Sequence, residues 1–353
     1  MSFNQFTNLD FAALRQQIKD YLRVNSDFAD FDFEGSNFST LIDLLAYNTY
    51  ITAYNTNMAV NECFLDSATL RENVVSLARN IGYVPRSARS AMATINFSVD
   101  LGTNDTRIVT LKAGQVALGN QVGGSYIFSI PDDFVATTGD NNVAIFNNLN
   151  VYEGIYLQKS FQIDYSQPNQ RFILPNANID TTSIRVTVTS TTSEIYTLYD
   201  NILRVDAESK LFLIQEIEDE HYEILFGDGI LGKKPPSGAI VNVSYIVSNG
   251  RAGNDAKNFS FIGILEDDRA LSITSGISVI QTANKASMGD DIEEISSIKY
   301  LAPRIYSSQY RAVTASDYSG IIPFVYPNVE SVTAYGGEEL DPPEFGKVFI
   351  SIK

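Results

Sequence analysis

Apolar positions return at helical spacing through the first ninety or so residues and then switch to strict alternation. Leu14, Ile18, Tyr21 and Leu22 recur every three or four positions, which predicts an amphipathic helix. Thr7, with Asp10 three residues on, supplies a plausible cap for it. A longer helix is predicted from Ser36 or Asn37 to about Glu62. A third is predicted from Asp66 to Asn80, closing at Gly82, where a residue free to adopt positive φ ends a helix well.

From Ala91 to about Gly250 the period is two. Ile95, Phe97 and Val99 alternate with Asn96 and Ser98; Ile184, Val186 and Val188 alternate with Arg185 and Thr187; Val241, Val243, Tyr245 and Val247 alternate with Asn242 and Ser244. Half-buried strands read this way, and Gly102, Asn104, Gly123, Gly124, Asn141 and Asn142 mark turns between them. After a mixed connector, short helices are predicted over Asp290–Tyr300, ended by Ala302 and Pro303, and from Thr314 to before Pro323, with Thr314 and Asp317 as a capping pair. Strands follow at Val329–Tyr335 and Lys347–Ile352.

The expected fold class is therefore α+β multidomain. A helical assembly region covers 1–89, a β-rich domain 90–250, a connector 251–289 and a small α/β domain 290–353. The sequence stops within its last strand, so the final domain is expected to be incomplete and a further C-terminal portion to exist.

Composition narrows the function classes. Forty-two acidic against 25 basic residues give a net charge of −17, a field that repels phosphate backbones and anionic lipid heads. Neither a nucleic-acid partner nor a membrane anchor is expected. Cys63 is the only cysteine, which leaves no internal disulfide and no cysteine-rich metal site. No signal-peptide pattern opens the chain, and no stretch reaches the roughly 20 apolar residues of a membrane span.

Candidate chemistry is sparse. Gly227, Gly229 and Gly232 match a Gly-x-Gly-x-x-Gly spacing, but Lys233, Lys234, Pro235 and Pro236 follow, and a dinucleotide fingerprint needs a helix there. Gly227, Asp228, Gly229 and Gly232 are instead expected to form a structural turn, with Gly227 at positive φ. Asp30, Asp32, Glu34 and Gly35 imitate the start of a calcium loop, yet its twelfth position is Leu41 where a bidentate Glu is required. Glu216, Glu218, Asp219, Glu220 and Glu223 surround His221, the only histidine. A solvated, charged hairpin turn accounts for that cluster. No catalytic residue, cofactor or metal is expected, and the chain is not expected to be an enzyme. The competing class is a glycan-binding or glycan-cleaving protein using that acidic cluster.

The most informative feature is a run without charge. Leu44–Asn61, eighteen residues, carries no charged side chain while holding Leu44, Leu45, Tyr47, Ile51, Tyr54 and Met58. Exposed helices usually set a charged face opposite the apolar stripe. Here that face is Asn48, Thr49, Thr52, Asn55 and Thr56. The helix is either buried within its own domain or sheltered in an intermolecular bundle. The second is favoured, because fewer than ninety residues offer little to cover both faces. Leu41, Leu44, Leu45, Tyr47, Asn48, Ile51, Tyr54, Asn55 and Met58 are the expected interface.

Three blocks carry a family resemblance. Asp32-Phe-Glu-Gly-Ser-Asn-Phe38, the helix Leu41-Ile-Asp-Leu-Leu-Ala-Tyr-Asn48 and Asn80-Ile-Gly-Tyr83 form the first. Phe226 to Gly229, Gly232, Pro235, the 241–245 strand, Gly250, Gly253 and Asn254 form the second. The third is Leu301 to Arg304, Tyr306, Gln309, Arg311 to Thr314, Asp317, Tyr318, Gly336 to Glu338, Pro342, Pro343 and Gly346. Together they resemble baseplate wedge subunits of contractile-tailed bacteriophages, of the sixth-gene-product type within the baseplate J-like group. The resemblance implies a virion protein of the tail baseplate, assembled in the host cytoplasm. It would pair with a second copy of itself and join other wedge proteins through its N-terminal helices. It also implies links between neighbouring wedges, in a ring around the hub that rearranges on sheath contraction, and contact with hub or sheath-initiating proteins. Family members usually continue well past residue 353.

Overall fold

The computed structural model describes residues 10–25, 36–103, 106–121, 123–139, 141–167, 169–199, 205–326, 329 and 331–353. In chain order the helices α1 (Phe11–Asn25), α2 (Asn37–Asn61) and α3 (Arg71–Asn80) come first. Strands follow as β1 (Met92–Asp100), β2 (Ile108–Leu111), β3 (Gly114–Gln121), β4 (Gly124–Ile130), β5 (Phe134–Thr137), β6 (Val143–Glu153), β7 (Ile155–Gln162), β8 (Phe172–Leu174), β9 (Ile179–Thr189), β10 (Ser193–Leu198), β11 (Leu211–Glu216), β12 (Tyr222–Phe226) and β13 (Ile240–Val247). Next are β14 (Lys257–Phe261), β15 (Leu265–Glu266), β16 (Ser272–Ile273), β17 (Gln281–Ser287), α4 (Ile295–Ser308), α5 (Ala315–Val325), β18 (Val332–Gly336) and β19 (Val348–Ile352). The fold is α+β, with N-terminal helices, a β-rich middle and a small C-terminal helix-and-strand region. It divides into two compact units, Met1–Val84 with Ile295–Lys353, and Pro85–Glu294.

In the helical unit, Asp10 caps α1, its Oδ1 accepting from the N–H groups of Ala12 and Ala13 at 2.9 and 3.2 Å; Thr7 lies outside the described residues. Ser36 caps α2 by accepting from Ser39 N at 3.0 Å. The third helix starts at Arg71, later than the Asp66 expected from periodicity. Its approach is held instead by Glu62, whose carboxylate accepts from Thr69 N at 2.7 Å, Thr69 Oγ1 at 2.5 Å and Asn73 Nδ2 at 2.9 Å. Gly82 closes α3 at φ +81°, as its position predicts.

Both C-terminal helices run through the prolines expected to stop them: α4 contains Pro303 and α5 contains Pro323. An interior proline costs about 3 kcal/mol. In α4 the compensation is burial, because Ile298, Leu301, Ala302 and Ile305 pack with Val74, Val75, Ala78 and Tyr83 from α3 and its exit. Ile321 and Phe324 of α5 join the same cluster from its edge. Thr314 and Asp317 form the expected capping box, and β18 pairs antiparallel with β19.

The β-rich unit holds two cores. Strands in the order β14-β3-β4-β6-β1-β17 form one sheet. Its ends approach through Asp255 N to Ala286 O at 2.7 Å and Ala286 N to Ala256 O at 3.0 Å, giving a barrel-like curl. Ile95, Phe97, Val99, Phe128 and Phe146 fill it, together with Val109, Leu111 and Leu265 from the sheet β16-β15-β2-β5. The remaining strands, β7-β13-β9-β10-β11-β12-β8, enclose Val186, Val188, Tyr196, Phe212, Val241, Val243 and Tyr245. The alternations at 95–99, 184–188 and 241–245 thus mark true inward faces.

Candidate assembly interface

Helix α2 uses only a narrow stripe against its own chain. Ser39, Ile42, Ala46, Asn57 and Asn61 are buried. Ile42 and Ala46 are 1% and 0% exposed, while Leu44 is 62% and Tyr47 58% exposed. Leu41, Leu45, Ile51 and Tyr54 are also exposed large apolar side chains; Asn48 and Asn55 are exposed beside them, and Met58 is half-buried. Arg15 of α1 reaches Asp43 at 2.5 Å and Ser39 Oγ at 3.4 Å, so among the described residues the ionic contact with α2 comes from α1.

The polar residues of this helix are less polar than they look. Thr49, Thr52 and Thr56 each donate a hydroxyl proton to the carbonyl four residues earlier, of Leu45, Asn48 and Thr52, all at 2.8 Å. Their hydroxyl protons are satisfied inside the helix. Covering that surface with another apolar helix strands no threonine donor. The pattern of charge along the chain carries no sign of these i−4 back-bonds; the folded helix does.

The glycine-rich segment is a turn, with no helix after it. Asp228 Oδ1 accepts from Ile230 N and Leu231 N at 2.8 and 2.9 Å. These bonds hold the Asp228 carboxyl below the usual range. Positive φ occurs at Gly229 and Gly232, at +93° and +87°, and not at the expected Gly227. Gly227 is required for a different reason: a Cβ there would sit 2.3 Å from the carbonyl carbon and oxygen of Gly232.

The acidic cluster is only partly solvated, contrary to expectation. Glu216 and Glu223 are buried, whereas Glu218 and Asp219 lie exposed in the turn between β11 and β12. Arg171 donates to Glu223 through Nε and Nη2 at 2.9 and 2.8 Å. In the register Glu216 faces Tyr222, and Gln215 faces Glu223, so the pleat turns the two buried carboxylates to opposite sides of the sheet. Paired acid chemistry on one sugar needs both on one side. Among the described residues no three His, Cys, Asp or Glu converge to hold a metal, and no helix is long and apolar enough to cross a membrane. The calcium-like run Asp30, Asp32, Glu34, Gly35 lies outside the described residues.

Fold and surface together define a multidomain α+β protein with an exposed apolar helix that carries no charged residue from Leu44 to Asn61. Three family models match it: "Baseplate wedge protein gp6-like, helical domain" over residues 10–83, "Bacteriophage baseplate wedge protein gp6, third domain" over 159–250, and "Baseplate structural protein gp6, C-terminal domain I" over 314–353. The baseplate wedge protein gp6 of Enterobacteria phage T4 is 28% identical over 335 residues, covering 90% of this chain and 50% of that protein. The chain belongs to this gp6-type family of baseplate wedge proteins. It spans about half the length of that relative. A cryo-EM structure of the anti-feeding prophage baseplate, 6-fold symmetrised, aligns over 97% of this chain and 69% of its own, at 14% identity and a TM-score of 0.32.

Proposed function

We propose that the chain is a structural subunit of a phage tail baseplate wedge, with α2 as its main assembly surface. It pairs with a second copy of itself and packs α2 beside helices of other wedge proteins. Wedges so built link into a ring around the hub, which rearranges when the sheath contracts. The observation carrying this reading is the width of the uncovered face. A helix anchored by Ile42 and Ala46 displays Leu41, Leu44, Leu45, Tyr47, Ile51 and Tyr54 to solvent, and a contiguous apolar patch of that kind marks a protein contact. Family membership supplies the setting, the tail baseplate of the virion.

The test is light scattering after size exclusion, on the chain alone and co-expressed with the other wedge proteins of its phage. The expected result is a dimer or a hetero-oligomer. A strict monomer that ignores every wedge protein would remove the proposal.

A further inference from the structure

The chain enters the β-rich unit at Pro85 and leaves it at Glu294, and those two ends are fastened to each other. Arg89 N donates to Asp290 O at 2.8 Å, and Asp290 N returns to Arg89 O at 3.0 Å. Glu293 N donates to Arg86 O at 3.1 Å, while Arg86 N donates to Glu293 Oε2 at 3.0 Å. The result is a short antiparallel strap made from residues 201 and 207 positions apart.

The strap is held down by polar groups more than by apolar ones. Asp290, buried, accepts from Arg86 Nη1 at 3.2 Å and Arg251 Nε at 2.7 Å. Gly289 and Asn254 exchange two bonds, Gly289 N to Oδ1 at 2.8 Å and Nδ2 to Gly289 O at 2.9 Å. Ser90 N donates to Asp180 Oδ2 at 2.9 Å. The turn carrying Arg251 and Asn254 is itself pinned by buried Glu153, which accepts from Ser248 Oγ and Asn249 Nδ2, both at 2.8 Å.

We propose that this strap is a latch. While Asp290 is gripped by Arg86 and Arg251, both connecting segments lie along the β-rich unit. Loss of that grip leaves a buried carboxylate short of positive charge, which favours its escape to water. Both segments then come free together. Six residues released from each side could extend roughly 20 Å, lengthening the two connections to the helical unit without opening either hydrophobic core. Hydrogen bonds traded for water cost little net free energy, whereas core burial does not trade this way. The latch is therefore the place where the chain gives first.

Hydrogen–deuterium exchange on the full chain tests it, comparing Arg251→Gln with the parent; Arg251 is mostly exposed, so the variant folds. Amides of Arg86, Arg89, Asp290 and Glu293 are expected to exchange about tenfold faster in the variant, with those of β1 unchanged. Asp290→Asn, which removes the charge and keeps the shape, is expected to do the same. Unchanged strap exchange in both variants overturns the proposal, as does acceleration shared equally by strap and β1, which means global unfolding.

Discussion

Glu223 and Arg171 meet side by side, Nε to Oε1 at 2.9 Å and Nη2 to Oε2 at 2.8 Å, with the carboxylate buried and the guanidinium half in water. A fork of this kind fixes the orientation of the carboxylate and occupies one lone pair on each of its oxygens. Glu223→Gln should lower the thermal midpoint of the β-rich unit by a few degrees. Parent and variant should both leave host envelope polysaccharide uncut and unbound. Polysaccharide cleavage lost in Glu223→Gln would restore the glycan-cleaving alternative.

Substitutions on α2 should divide by face. Leu45→Asp and Ile51→Asp are expected to leave the isolated chain's melting curve within error and to abolish assembly with wedge partners. A carboxylate left unpaired in a dry contact costs several kcal/mol. Ile42→Asp, on the buried stripe, should instead unfold the helical region before any assembly is attempted. Circular dichroism with light scattering separates the two outcomes.

The glycine turn offers a comparison of mechanisms. Gly227→Ala places a methyl into the Gly232 backbone, which nothing flexible can relieve, and should cost more than 2 kcal/mol, about the range for overpacking. At Gly229 the nearest atom, Lys234 Cβ, is an ordinary 3.8 Å away. Gly229→Ala therefore pays only the left-handed backbone penalty, about 1–2 kcal/mol. Urea titration of both variants checks the order.

Glu62 gives the helical unit a pH dependence. Burial acts to raise its carboxyl, but hydrogen bonds from the Thr69 hydroxyl, Asn73 and the backbone of Thr69 and Leu70 outweigh it and hold it below the usual carboxylate range. The folded form thus binds its proton less readily than the unfolded form. Its contribution is fully present above the ordinary value of 4.5 and is lost as pH falls through the lowered one. Denaturation between pH 6 and pH 3 should show this loss in the parent, and Glu62→Gln should flatten it.

Thr314→Ala removes the hydroxyl half of the α5 capping box. Helix caps of this type contribute about 1 kcal/mol, so the helical unit should lose that much in urea titration, with Thr314→Ser retaining most of it.

Local chemistry in the chain was enough to locate the five helices and the strands β1, β9, β13, β18 and β19. Ser36 ahead of α2, Gly82 after α3 and the Thr314–Asp317 pair before α5 act within a few residues of themselves, so their roles survive any tertiary arrangement. The period-two runs of β1, β9 and β13 likewise announce which side is buried, because the pleat alone alternates side chains. The absence of charge over Leu44–Asn61 was equally plain, since it requires no partner to be seen.

Tertiary structure decided what depended on distant partners. Pro303 was a reasonable stop until α3 supplied the buried surface that offsets it. Glu223 belonged to a solvated turn until Arg171, 52 positions earlier, reached it. Lys299 donates to Asp66 O at 2.9 Å and Tyr310 to Gly82 O at 2.8 Å, contacts that draw the two ends of the chain into one unit. Periodicity is a property of neighbours along the backbone, whereas compensation of a broken helix bond or a buried charge comes from whichever segment folds against it. Only the packed chain could show which segment that was.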